Sequence, residues 1–568
     1  MSPRRSAFAT ALALVALTLA ACAGLPTSGG VNPGLPAGEV ESGTDTTFFP
    51  AGPVVGASPE TIVEGFIGAA TSPAGGWAIA KQFFATPEDA DAWRPEASVT
   101  LDRSWTAREV TATINETRGQ ASVQIVLTPV ATVDSAGTYR LSTGSPAEVP
   151  PYELVRTAEG EWRLVSAPDG IVMDAESFSQ VFRRYAIQYF DQQWQHLVPD
   201  PRWFPRRDGI ETVIARAVID GAASTWLADA VTTAFPASIS LGRESVPVSP
   251  LDHVAEVELT AGALSLDATT LARMRTQLEE SLKGTDVSGV RFTVEGRPLE
   301  AGLVEIAPNR IDTTTFVLAE AGFGAVVGEE VVPVPGVSEV LAELESPVRA
   351  IDLAGDAQSA AVLTDEGVYR VGTLGALLID ERADLLAPGI DAHDFIWSVP
   401  RTAPHELLIF TRAGEPVPLE GAWPEATAIS QLRLSPDGVR LAAVVTLGGR
   451  EWLTFVAVIR DAQGTPVSLG PAENIMRLPG ESRGVAWLGD NAVGVLTRDG
   501  DTQQLIELTV GGPAAVSVVP TETMGMAGAN TASGVRLLSS TGVVSVKEGT
   551  TWQEFMTEVL VLGTQSGR

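Results

Sequence analysis

Leu432-Arg433-Leu434-Ser435-Pro436-Asp437-Gly438-Val439-Arg440-Leu441-Ala442-Ala443-Val444-Val445 reads as a strand, a tight turn and a second strand. Proline, aspartate and glycine in the middle supply turn chemistry, and the flanking β-branched and apolar residues suit a pleated sheet. Related stretches lie on both sides. Ile351-Asp352-Leu353, Ser359 to Leu363 and Gly367 to Val371 form one triplet of short strands, and Gly484 to Leu496 repeats the pattern around Gly489-Asp490-Asn491. Short strands at this spacing, with Asp-Gly or Gly-Asp turns and no helical window between them, predict an all-β repeat domain over 345–560. At about 40 to 45 residues per blade the length allows around five blades of a β-propeller. A pair of β-sandwiches is the competing architecture, and the Ser435 to Gly438 turn between strands favours blades.

Upstream the periodicity changes. A helix start at Ser58-Pro59-Glu60-Thr61 is followed by Ile62, Val63, Phe66 and Ile67 at helical spacing, and Trp77 to Phe84 repeats the period. After Trp93-Arg94-Pro95 the period falls to two, at Ala121 to Leu127, Gly137 to Leu141, Tyr152 to Val155 and Glu161 to Val165. Two helices and an antiparallel meander predict a cup-like α+β domain over 58–190. A second α+β domain is expected over 195–312. Its signals are a helix through Ile210, Val213, Ile214, Ala217 and Val218, a strand over His253 to Thr260, and a helix through Leu271, Met274, Leu278 and Leu282. Asp267 is the expected cap of that last helix, Glu279 is spaced to pair with Lys283, and Val290 to Val294 closes the unit as a strand. The expected fold class is therefore multidomain, two α+β domains followed by an all-β propeller.

The N-terminus has another character. Arg4 and Arg5 precede a small apolar run from Ala7 to Ala21, which is shorter than the roughly 20 residues a spanning helix needs. The run ends in Leu19-Ala20-Ala21-Cys22, and Cys22 is the only cysteine of 568 residues. The pattern predicts an export signal over 1–21 and lipidation of Cys22, whose acyl chains would hold the protein at the plasma membrane. Glycine and proline crowd the segment that follows, so 22–57 reads as a flexible tether, with Phe48 and Phe49 placed to dock on the first domain.

Charge narrows the choice of partners. Loss of residues 1–21 removes Arg4 and Arg5 and no acid, so 36 Lys and Arg face 70 Asp and Glu, a balance of about −34. Such a surface is unsuited to nucleic acid and is repelled by anionic lipid, which leaves the acyl chains as the membrane attachment.

Catalytic and cofactor patterns are sparse. His196, His253, His393 and His405 are scattered singly, without the spacing of a zinc site, and no Gly-x-Ser-x-Gly elbow or Walker loop occurs. Gly322-Phe323-Gly324-Ala325-Val326-Val327-Gly328 is one residue off the dinucleotide fingerprint and runs into Glu329-Glu330-Val331-Val332-Pro333, so it reads as a linker or strand. No catalytic residue, metal site or cofactor is expected, and the protein reads as a non-enzyme. One patch is rich in the residue types of binding hot spots: Phe182-Arg183-Arg184-Tyr185 to Trp194, continued by Trp203-Phe204-Pro205-Arg206-Arg207. Arg183, Arg184, Trp194, Trp203, Arg206 and Arg207 are the candidate interface residues. The same aromatics could instead pack the first two domains together.

Several of these pieces together resemble one family. The lipobox with Cys22-Ala23-Gly24-Leu25-Pro26-Thr27-Ser28-Gly29, the Ala57-Ser58-Pro59-Glu60 helix start, Phe83 to Glu88 running into Ala92-Trp93-Arg94-Pro95, and the Ser-Pro-Asp-Gly blade resemble the actinobacterial LpqB lipoproteins along essentially the whole chain. The resemblance implies an N-terminal domain, a GerMN domain and a β-propeller, on the extracytoplasmic face of the cell membrane. It also implies an accessory role beside MtrB, the sensor histidine kinase of the MtrAB two-component system in envelope and division signalling, with the kinase's extracellular domain as partner. It carries no catalytic motif, so Cys22 alone transfers as a functional position. A module that binds cell-wall glycan is the alternative function.

Overall fold

In the computed structural model, residues 50–103, 108–311, 313–421, 423–549 and 551–565 are described and belong to one compact unit. Cys22, the tether as far as residue 49, and the expected docking of Phe48 and Phe49 lie outside them. The first helix, Pro59–Ala70, starts where its sequence signals place it, with the Ser58 hydroxyl accepting the Thr61 amide at 3.4 Å. Its inner face, Ile62, Val63, Phe66 and Ile67, is buried, and Phe66 meets Phe84 and Trp93 edge-on at 5.4 and 4.9 Å. The second helical stretch yields only Ala78–Lys81. Gly75, Gly76 and Trp77 take left-handed backbone just before it, and the Trp77 indole donates to the Ala70 carbonyl at 2.9 Å, closing the end of the first helix.

The expected antiparallel meander is two sheets. Glu109–Asn115, Gln120–Leu127, Tyr152–Arg156 and Trp162–Ser166 form one, with Ala147–Glu148 at its side. In the other, Ser98–Asp102 pairs antiparallel with Pro129–Asp134 but parallel with Ile171–Asp174. Local alternation reports that a segment is a strand and is silent on its partner, which is why the parallel pair escaped prediction.

The first boundary also moves. Phe182–Asp191 pairs along its length with Leu197–Pro205, so residues assigned to 58–190 belong to the hairpin that opens the second domain. That domain continues with helix Ile210–Ile219, strand Val254–Glu258, helix Ala268–Ser281 and strand Gly289–Val294, the two strands being parallel with the last helix as their crossover. Asp267 caps that helix by accepting the Thr269 and Thr270 amides. Glu279 does not pair with Lys283; it holds Arg275 at 2.8 Å and the Val290 amide at 2.9 Å, and Lys283 takes Glu280 instead.

The C-terminal domain is a propeller with six blades among the described residues, one more than repeat length suggested, and it begins before the expected start at 345. Blade 1 is Phe316–Ala319, Gly322–Val327 and Glu330–Pro333, completed by the C-terminal strand Val559–Gln565. Blades 2 and 3 follow as Val348–Leu353 to Gly375–Asp380 and Gly389–Ile390 to Pro416–Pro418. Blades 4, 5 and 6 are Ala428–Leu434 to Pro466–Leu469, Glu481–Trp487 to Ala514–Val518, and Thr523–Ala527 to Thr551–Met556. Because strands more than 220 residues apart close the ring, no local window contains blade 1 complete. The Gly322 to Gly328 stretch is one of its strands, and a Cβ on Gly324 would lie 2.3 Å from the Val332 carbonyl of the neighbouring strand, so glycine there serves close strand approach.

Candidate interaction site: the hairpin at the domain joint

The hairpin Phe182–Asp191 with Leu197–Pro205 carries most of the candidate interface residues. Its turn is set by Asp191, whose carboxylate accepts the Gln195 and His196 amides at 2.7 and 3.1 Å. Leu197–Pro205 is an edge strand whose one neighbour in its sheet is its hairpin partner. Pro199, Pro201, Trp203 and Pro205 alternate along it, so their backbone nitrogens share its outer edge. Three are prolines and need no acceptor; the fourth, Trp203, donates to the Gly137 carbonyl of the N-terminal domain at 2.8 Å. Gly137 has φ +83°, and a Cβ there would lie 2.8 Å from the Trp203 carbonyl, so only glycine fits this approach.

Trp203 is the centre of the joint. Its ring packs on Phe178 at 4.6 Å and Tyr139 at 6.0 Å in the N-terminal domain, and its indole donates to the Gly511 carbonyl of propeller blade 5 at 2.7 Å. Arg184, opposite Trp203 in the hairpin register, is desolvated, which lowers its pKa, while the charge of Asp490 in the propeller acts against that shift. Arg207 reaches Glu96 and Arg206 reaches the Ser179 carbonyl, both in the N-terminal domain and both at 3.3 Å. Trp194 is internal to the second domain, against Phe190 at 5.0 Å and under the Arg273 guanidinium at 4.1 Å. Arg183 is exposed beside Tyr185. The six residues thus form no single outward patch, and Trp203, Arg206 and Arg207 bind other parts of the same chain.

The strongest polar element of the joint was missed in the sequence. Asp200 and Arg202, both buried, pair at 2.6 Å; Asp200 also accepts the Ser224 amide and hydroxyl, and Arg202 donates to the Ala136 carbonyl and the Thr138 hydroxyl across the domain boundary. An acid two residues before an arginine in a strand is too common to read as a clamp. Trp226 was missed as well, its ring tilted by 38° against that of Phe455 of blade 4 at 6.1 Å, and Gln193 donates to the Asp461 carbonyl at 2.7 Å. His196 and His393, far apart in sequence, face the same joint. His196 is held by Asn309 at 2.9 Å. Burial, then the charges of Arg460 and His196, lower the His393 pKa, against the pull of Asp391 and Asp191.

This geometry orients and binds; among the described residues no group of three or more His, Cys, Asp or Glu is placed to hold a metal ion. No described helix is long and apolar enough to cross a membrane. The fold and its joint define a class: a multidomain protein in which two α+β domains are locked to a C-terminal β-propeller through one shared hairpin. Residues 52–179 match the family model described as "Lipoprotein LpqB, N-terminal domain", 187–300 that described as "Sporulation and spore germination", and 322–560 that described as "Lipoprotein LpqB beta-propeller domain". Relatives named "Lipoprotein LpqB" include one from Bifidobacterium longum, 27% identical over 83% of this chain and 81% of its own, and one from Streptomyces coelicolor, 27% identical over 94% of both. A third, from Nocardia farcinica, is 25% identical over 88% of this chain and 87% of its own. The chain belongs to the LpqB lipoprotein family.

Proposed function

We propose that acyl chains on Cys22 hold this protein at the extracytoplasmic face of the cell membrane, and that its body acts there by contact with the extracellular domain of a sensor histidine kinase that governs envelope growth and division. The observation that carries the reading is the agreement of the chain with LpqB lipoproteins over nearly its whole length, together with the single cysteine at the end of an export signal. A body with a balance of about −34 suits neither nucleic acid nor an anionic bilayer, which leaves protein as the favoured partner. Contact requires the body and not merely the anchor.

In a strain deleted for the protein, Cys22 through Ala57 fused to an inert exported domain is expected to reach the membrane and to leave growth and division defective. Full-length protein solubilised in detergent is expected to co-purify with the kinase, and Cys22→Ala to leave the membrane fraction. Full rescue by the anchor and tether alone would overturn the contact reading. Retention of the body on purified peptidoglycan without the kinase would favour glycan recognition in its place.

A further inference from the structure

The six innermost strands of the propeller contact one another in cyclic order around a central channel. Loops on the side where these strands end carry contacts with the α+β domains: Asn530 bonds the linker residue Ile311 at 2.9 and 2.6 Å, Gly511 takes the Trp203 indole, and Asp461 takes Gln193. The side where the strands begin is built differently. In five blades the innermost strand carries one extra residue near this end: Leu560 in blade 1, Arg349 in blade 2, Ser430 in blade 4, Arg483 in blade 5 and Met524 in blade 6. A bulge of this kind leaves its extra residue unpaired in the ladder and re-aims the side chain. Arg483, Met524, Leu560 and Arg349 follow one another around the ring, and all four are exposed.

The middle two form an apolar patch. Met524 is 55% and Leu560 67% exposed, in strands that touch. The same pattern delivers both, Thr521-Glu522-Thr523-Met524 and Thr557-Glu558-Val559-Leu560. Glu522 and Glu558 are exposed and take left-handed backbone, φ +68° and +61°, where the chain passes from one blade to the next. A single turn lies between them: the Ser540 amide donates to the Glu522 carbonyl at 2.9 Å, and the Val559 amide to the Gly542 carbonyl at 3.0 Å. Glu320, next to the Ala319 that pairs with Val559, adds a third exposed carboxylate. None of these glutamates has a basic partner among the described residues; Glu522 takes only the Ser540 hydroxyl at 3.4 Å. The flanking arginines are already neutralised, Arg483 by Glu481 at 2.8 Å and Arg349 by Asp365 at 2.7 Å.

We propose that this apolar patch, with its three uncompensated carboxylates, is a docking surface for a cationic amphipathic segment of a protein partner. Apolar side chains of that segment cover Met524 and Leu560, and its lysines or arginines meet Glu522, Glu558 and Glu320. Charge selects the occupant, since the carboxylates repel both an anionic bilayer and a second copy of this acidic chain. That the partner is a protein rests on the contact function proposed above, while the face and the recognition chemistry rest on these residues.

The test is calorimetric titration of residues 23–568, which keep the whole compact unit without the lipid, with a short leucine–lysine peptide patterned as an amphipathic helix. Salt at about 0.15 M limits long-range attraction to about 8 Å. Saturable one-to-one binding is expected. Met524→Ser with Leu560→Ser is expected to weaken it about tenfold or more, and Glu522→Asn with Glu558→Asn about threefold or more. Asparagine tolerates left-handed backbone better than glutamate, so the second pair is expected to melt no lower than the unaltered protein. Glu64→Gln with Glu109→Gln, exposed acids of the N-terminal domain, is expected to change the affinity by less than about 1.5-fold. Intact peptide binding without kinase co-purification would overturn the kinase reading and uphold this surface. Absence of saturable binding overturns the proposal, as does a folded serine pair that binds undiminished. A control pair that weakens binding as much as the Glu522 and Glu558 pair reveals diffuse attraction to an acidic body and overturns it too. So does binding to phosphatidylglycerol vesicles that depends on Met524 and Leu560, which would assign the surface to lipid.

Discussion

Blade 4 and the domain-joining hairpin solve the same problem, a buried arginine beside a buried aspartate, with opposite reach. In blade 4, Arg440 donates through Nε to Asp437 at 2.9 Å, with both side chains fully buried, and continues to the Asp490 carbonyl at 2.6 Å and the face of Trp487 at 4.9 Å, both in blade 5. The Ser435 hydroxyl and the Val439 amide complete the carboxylate's shell, so the whole Ser-Pro-Asp-Gly turn is built around one charge. In the hairpin, the Asp200–Arg202 pair extends instead to Ala136 and Thr138 of another domain. One pair sets the register of neighbouring repeats and the other sets the pose of whole domains. A motif that repeats in sequence serves the repeat, whereas a clamp between unlike domains need leave no trace in either.

Breaking each pair should expose that division of labour. Arg440→Met leaves the Asp437 carboxylate buried without its partner, and the propeller is expected to lose about 3–5 kcal/mol. Urea unfolding followed by tryptophan fluorescence is the measurement, and a loss below about 1 kcal/mol would show that the pair is not what ties the two blades together. Arg202→Met should cost about 3 kcal/mol or somewhat less, since Asp200 keeps its two bonds from Ser224. Its distinctive mark is location. Amide exchange is expected to quicken around Gly137 and Trp203 while the blades keep wild-type protection, and uniform quickening across the propeller would contradict an interdomain role.

The smallest effect concerns acid. Because the folded-state pKa of His393 lies below its ordinary value of about 6.5, the neutral imidazole is favoured in the folded protein. Its contribution is therefore fully present above about pH 6.5 and is lost as the pH falls from there through the lowered folded-state value. His393→Asn should flatten this part of the melting-temperature profile while leaving the melt at pH 8 nearly unchanged. An identical decline in both proteins between pH 7 and 5 would remove His393 as a source of acid sensitivity at the joint.

The hairpin also shows how far its own sequence could be read. An aromatic and basic run was legible as contact-forming, with packing between domains and binding of a partner both open, and Trp203 turned out to meet three domains at once. Arg202, sitting in the same run, carries more bonds than any of the six candidates but lacks an aromatic's conspicuousness. His196 and His393 read as isolated because nearly 200 residues separate them; only the docking of the second domain on the propeller brings their charges within reach.

What the sequence by itself determined was local: the capped starts at Ser58 and Asp267, the alternating strands, the turn residues of the blades and the single Cys22. Each depends on residues a few positions apart, where backbone conformation and hydrogen-bonding options are set by near neighbours. The tertiary structure alone decided the parallel pairing of Ser98–Asp102 with Ile171–Asp174, the closing of blade 1 by the distant strand Val559–Gln565 and the use of Leu197–Pro205 as a shared edge. These depend on which surfaces meet once the chain has collapsed, and a strand's periodicity records which of its faces is buried without recording what buries it.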